Sequence, residues 1–125
     1  MKSLDQIRAQ SALAAKDAVA NALKQSAQGD RLSQFPLLIL QCGLLSALAF
    51  AQERKPNNEG RSHPADHAIA QALTAHLRAK GIEMAQSQNP GGLINELASA
   101  GDDRKLRQAT VESLRFLSYL KRFVA

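Results

Sequence analysis

The stretch Ser62-His63-Pro64-Ala65-Asp66-His67 gathers the densest set of groups able to do chemistry. His63 and His67 stand four apart, Asp66 lies beside the second, and His76 follows further along. On a helix, imidazoles at that spacing can share one metal ion. Yet His63 precedes a proline, which pushes it out of helical geometry, and no Glu or Cys completes a ligand set. Polar residues at a helix start account for the stretch better than a metal centre does. A small metal-dependent enzyme using His63, Asp66 and His67 is kept as the alternative from a different class. Elsewhere there is no P-loop, no Gly-x-Ser-x-Gly elbow and no Cys-x-x-Cys. The Gly91-Gly92 pair before an apolar run is weak support for a phosphate site. Cys42, alone inside an apolar run, is expected to be a buried, inert thiol in a reducing compartment. No catalytic residue, metal or cofactor is assigned, and the chain is expected not to be an enzyme.

Charge points to a different kind of work. Sixteen Lys and Arg against eleven Asp and Glu give a formal charge of +5, so polyanions are the natural partners. At 100° per residue the last helical segment places Leu106, Ser113, Leu117, Leu120 and Val124 on one side. Arg104, Arg115 and Arg122 fall on the opposite side, within about 20° of one another. Lys105, Arg107 and Lys121 broaden that row, and Lys16, Arg54, Lys55 and Arg61 are the next candidates for nucleic-acid contact. A charged stripe is ordinarily just a solvated face, so the row needs support from elsewhere.

The elements that must position these residues are helical. The 125 residues make one domain, 1–125; aromatics are 4%, tryptophan is absent, and Ala and Leu must supply the packing. The expected fold is an all-α, compact single-domain bundle of four to six helices. The first helix opens on the capping box Ser3-x-x-Gln6 and stops at Gly29, with Leu4, Ile7, Ser11, Ala15, Ala18, Val19 and Ala22 on one face. Residues 35–51, "FPLLILQCGLLSALAFA", form the most apolar run, but 17 residues fall short of the roughly 20 a spanning helix needs. It is read as the central helix of the bundle, from Ser33 to about Arg54, with Pro36 in its first turn and the first and last helices packed against it. Gly43 in its interior costs about 1 kcal/mol, so a close helix approach is the expected reason for it. "KPNNEGRSHP" is a solvated loop, a third helix runs from about Ala65 to Lys80, "LINELASA" forms a short helix, and the last runs from Asp102 to Phe123. The amino terminus has no apolar targeting segment, and the cytoplasm is the expected location.

Three stretches together resemble the small, all-helical subunit of the type III-B CRISPR effector, the Cmr complex. Leu4, Gln6, Arg8, Ala9 and Ala12 resemble its opening helix. Pro36, Gly43, Leu44, Ala49 and Phe50 resemble its apolar helix, and Ala109, Thr110, Glu112, Leu114, Leu120, Lys121, Arg122 and Phe123 its closing one. The chain departs from the family pattern at Cys42, Leu45 and Tyr119. The resemblance implies a non-catalytic structural subunit in antiviral defence. Its partners would be further copies of itself in an inner filament, the backbone and large subunits of the effector, and guide and target RNA; no membrane is implied. It also implies that Arg8 and Glu112 pair across the first and last helices. A basic helical adaptor of another ribonucleoprotein, such as a type III-A effector, is the alternative within the same class.

Overall fold

The computed structural model describes residues 2–26 and 30–124. The first of these segments opens on a reciprocal cap. The Ser3 N–H donates to Gln6 Oε1 at 2.8 Å and the Gln6 N–H donates to Ser3 Oγ at 3.2 Å, which starts helix α1 (Leu4–Ser26). The stop expected at Gly29 lies outside the described residues. Asp30 caps α2 (Arg31–Cys42), its carboxylate accepting from the Ser33 N–H. Asn89 caps α5 (Pro90–Ala98) through the Gly92 N–H at 2.7 Å, and Asp102 meets the Arg104 N–H at the start of α6 (Arg104–Val124). The remaining helices are α3 (Leu44–Gln52) and α4 (Pro64–Arg78). Among the described residues these six α-helices are joined by a single β-type contact, the bridge between Arg54 and Arg61. The expected all-helical bundle is what the chain forms.

The apolar run is not one helix. It breaks at Gly43, whose φ of +91° and ψ of 160° lie where glycine alone sits comfortably. This residue closes α2 through its N–H to the Ile39 carbonyl and opens α3 by accepting from the Ala47 N–H. A Cβ built there meets nothing within 4 Å, so the expected close approach is not its reason; the corner's backbone conformation is. Gly43→Ala is therefore expected to destabilise the fold by about 1–3 kcal/mol, read as a lower urea midpoint. An unchanged midpoint would mean the corner straightens into a continuous helix. The same break exposes Cys42, which was expected to be buried. Pro36 falls inside α2 rather than in its first turn, because Asp30 starts the helix earlier than Ser33.

The centre of the bundle is α4, not the apolar run. It touches all five other helices and buries Ala65, Asp66, Ile69, Ala70, Leu73, Thr74, His76 and Leu77. Helix α1 packs on α4 and α6, and α6 packs on α1, α2 and α4. Because α1 serves two neighbours, its inward face turns from the expected one: Ile7, Ala12 and Val19 are buried, while Leu4 and Ala18 are exposed. Phe35, Ile39, Leu44, Leu48, Leu93, Phe116, Leu117 and Leu120 complete the core. Each such side chain contributes about 1.5–3 kcal/mol when removed from water. After α4 the chain turns through residues 79–89, pinned where Met84 and Ala85 donate N–H groups to the Leu77 carbonyl.

Candidate nucleic-acid interface

Helix α6 is positioned by its buried side, which comprises Ala109, Glu112, Ser113, Phe116, Leu117 and Leu120. That anchoring fixes what faces outward. Arg104, Arg115 and Arg122 are all exposed along one crest, with Gln108, Val111 and Ser118 between them. None of the three guanidinium groups makes an ion pair among the described residues. The crest therefore carries uncompensated positive charge along the length of the helix.

The other candidate cations are used differently. Lys105 binds Glu96 at 2.7 Å, and Arg107 meets Asp103 at 3.2 Å in a pair that is about 70% exposed and therefore weak. Lys121 is exposed near Asp30, whose carboxyl is held below the usual range first by its hydrogen bond with Ser33. Arg54 and Arg61 face each other across the bridge, and Lys55 follows on the same loop, its N–H donating to the Gly60 carbonyl. The Arg61 side chain donates to the Gln52 carbonyl at 2.8 Å. Lys16 is half-buried on α1. The structure thus groups Arg104, Arg115 and Arg122 on one surface, with Arg54, Lys55 and Arg61 on a separate loop.

The groups that could have formed an enzyme site point to separate partners. Asp66 is 1% exposed and holds Arg31 bidentately, both contacts at 2.7 Å. His63 stacks on Phe50 with ring centroids 3.8 Å apart and lies 3.2 Å from Glu53. His67 is bonded to the Ala51 backbone; burial, then Arg61 and Arg54, push its pKa down. Among the described residues no cluster of three or more His, Cys, Asp or Glu side chains could hold a metal ion.

Two polar clusters hold the crest in place. Arg8 on α1 grips Glu112 on α6 through Nε at 2.8 Å and Nη2 at 2.7 Å, with side-chain exposures of 11% and 4%. His76 on α4 adds Nε2 to the same carboxylate at 2.8 Å. Its Nδ1 lies 2.7 Å from Ser11 Oγ, and its ring stacks on Phe116. A carboxylate only accepts, so Nε2–H donates to Glu112, and in the neutral ring Nδ1 accepts from the Ser11 hydroxyl. Burial pushes the His76 pKa down, in keeping with that. For Glu112 burial works upward, but the hydrogen bonds from Arg8 and His76 outweigh it and hold the carboxyl below its ordinary range. In the second cluster Glu96 accepts from Lys105, from Ser87 and from the Gln86 N–H. Against the effect of burial, these hold its pKa down to about 2 and tie the 79–89 segment to α5 and α6. The sequence singles out His76 only as a histidine following His63 and His67, and nothing marks Glu96, since a glutamate in a short helix carries no spacing signal.

No helix among the described residues is long and apolar enough to cross a membrane. No curated protein and no solved structure matches the chain. A protein-family model described as CRISPR-associated protein (Cas_Cmr5) matches residues 4–125, all six helices included, and the chain therefore belongs to that family, the small subunit of type III-B Cmr effectors.

Proposed function

We propose that this chain is a non-catalytic structural subunit that helps hold target RNA in a type III-B effector. Copies stack as an inner filament against a guide-loaded backbone, and the cutting chemistry belongs to other subunits. The observation that carries this reading is the crest of Arg104, Arg115 and Arg122, exposed and without ion pairs among the described residues. Such a row neutralises phosphates without reading bases, which suits a complex in which guide pairing supplies sequence selection. The protein side of the reading rests on α2. Its exposed residues, Gln34, Leu37, Leu40, Gln41 and Cys42, carry no charge, and Leu40 is 68% exposed. A neutral, leucine-bearing helix face is what a neighbouring subunit covers.

The test is to tag the chain in its host and identify what co-purifies by mass spectrometry and RNA sequencing. The expected result is the backbone and large subunits with guide RNA, and a free chain that is mostly monomeric at micromolar concentration, as contacts of the transient size class predict. Recovery of type III-A subunits would assign it to that effector instead. Recovery of no ribonucleoprotein at all would overturn the proposal.

A further inference from the structure

Beside the arginine crest runs a groove of about 700 Å³ between α6 and the 79–89 segment. That volume lies within the roughly 300–1,000 Å³ of small-ligand sites. Its lining is not simply cationic. Ile82 and Met84 come from the segment, and Val111, 47% exposed, comes from the middle of the arginine face. Arg104 and Arg115 stand at its edge with Gln108, whose exposed amide offers both a donor and an acceptor.

Of the two acids that line the groove, one is paired with a cation and the other accepts a backbone hydrogen bond. Glu112 is locked onto Arg8 and His76, and Glu83 Oε1 accepts from the Gly81 N–H at 3.1 Å. Both walls are preformed. The Leu77 carbonyl and Glu96 fix the segment, and the buried face of α6 fixes the arginines. Apolar side chains, an amide and guanidinium groups without ion pairs among the described residues, brought together in one groove, describe a site for a flat group joined to phosphates.

We infer that this groove is a nucleobase site: one unpaired base of a single-stranded RNA rests against Met84, Ile82 and Val111, while Arg104 and Arg115 hold phosphates of the same strand as it enters and leaves the groove. The inference rests on the RNA-holding reading and adds to it a contact that salt does not weaken. Phosphate contacts release counterions and fade with salt, whereas base burial on an apolar floor does not. An aliphatic and thioether floor accepts any base, so the site requires no sequence preference.

The test uses the full chain and two probes of equal length and charge, oligouridylate and the same ribose-phosphate strand made abasic. Uridines stack poorly, which leaves their bases free to enter. The parent is expected to bind oligouridylate about three- to tenfold more tightly than the abasic strand. Met84→Ala and, separately, Val111→Ser, each confirmed to melt like the parent, should erase most of that difference and leave the salt slope unchanged. Val111 is exposed, so its variant stays informative if the Met84 variant folds poorly. Equal binding of both strands by the parent would overturn the nucleobase site while leaving phosphate holding intact. Failure to bind either strand at low salt overturns it too. So would variants that bind RNA normally but drop out of the assembled effector, which would make the groove a protein contact. The RNA-holding reading fails on a separate result: a salt slope that Arg104→Ala and Arg115→Ala leave unchanged.

Discussion

Glu112→Ala is expected to cost about 3–5 kcal/mol, the range for breaking a buried ion pair from one side, and to lower the melting temperature by roughly 10–20 °C. The reason is geometric. Glu112 is 4% exposed and takes two hydrogen bonds from Arg8 and one from His76, so its removal strands a part-buried guanidinium and a buried imidazole N–H together. Arg8→Ala separates the two contributions. Without the cation that opposes its protonation, His76 becomes the carboxylate's only partner and takes up a proton more readily. In the parent the His76 pKa lies below its ordinary 6.5. As the pH falls through 6.5 the unfolded chain binds a proton that the folded chain refuses, and stability drops. Glu112, held below 4.5, adds a loss in the same direction only once the pH falls below that value. The Arg8→Ala variant should weaken the first of these trends. Its deficit relative to the parent is expected to shrink as the pH falls from roughly 8 to 6 in urea titrations. Parallel profiles would mean that Arg8 does not influence the protonation of His76.

What the sequence disclosed follows from how local each signal is. The Ser3–Gln6 cap, the stripe on α6 and the helix start near Ala65 depend on neighbours within a turn or two, and the structure has all three, although α4 ends at Arg78 rather than Lys80. The position of the centre was not local. The 35–51 run is apolar on nearly every side, which marks a buried helix when read alone, yet Leu37 and Leu40 are at least half exposed and α4 takes the middle. The buried face of α4 includes small residues, Ala65 and Ala70 among them, which average hydrophobicity undervalues. Gly43 was read as a packing glycine because a positive φ leaves no mark in periodicity. Long-range polar contacts divide in the same way. Arg8 and Glu112 were paired through family resemblance, whereas Arg31 with Asp66 and His76 with Ser11 join residues 35 and 65 positions apart and had nothing to announce them.

Replacing Arg104, Arg115 and Arg122 together with alanine is expected to weaken target-RNA binding in the assembled effector without changing which sequences it prefers. Each guanidinium is always charged and offers a planar fork of donors that needs no particular base opposite it. For a single strand, the logarithm of affinity falls with that of salt by roughly 0.7 per phosphate neutralised, so three lost contacts should flatten the slope by about 2. Because the difference grows as salt is lowered, the defect is largest in dilute buffer and shrinks toward high salt. A merely solvated face makes another forecast: stability within about 0.5 kcal/mol of the parent, with slope and affinity unchanged. The two accounts agree on stability, because all three side chains are exposed and none sits in an ion pair among the described residues. Melting therefore serves as the control for folding and the salt series as the measurement. A slope that stays the same in a correctly assembled complex would remove this crest from the RNA path. Attention would then pass to Arg54, Lys55 and Arg61 on the bridged loop and to Lys16 on α1, whose replacement should flatten the slope instead.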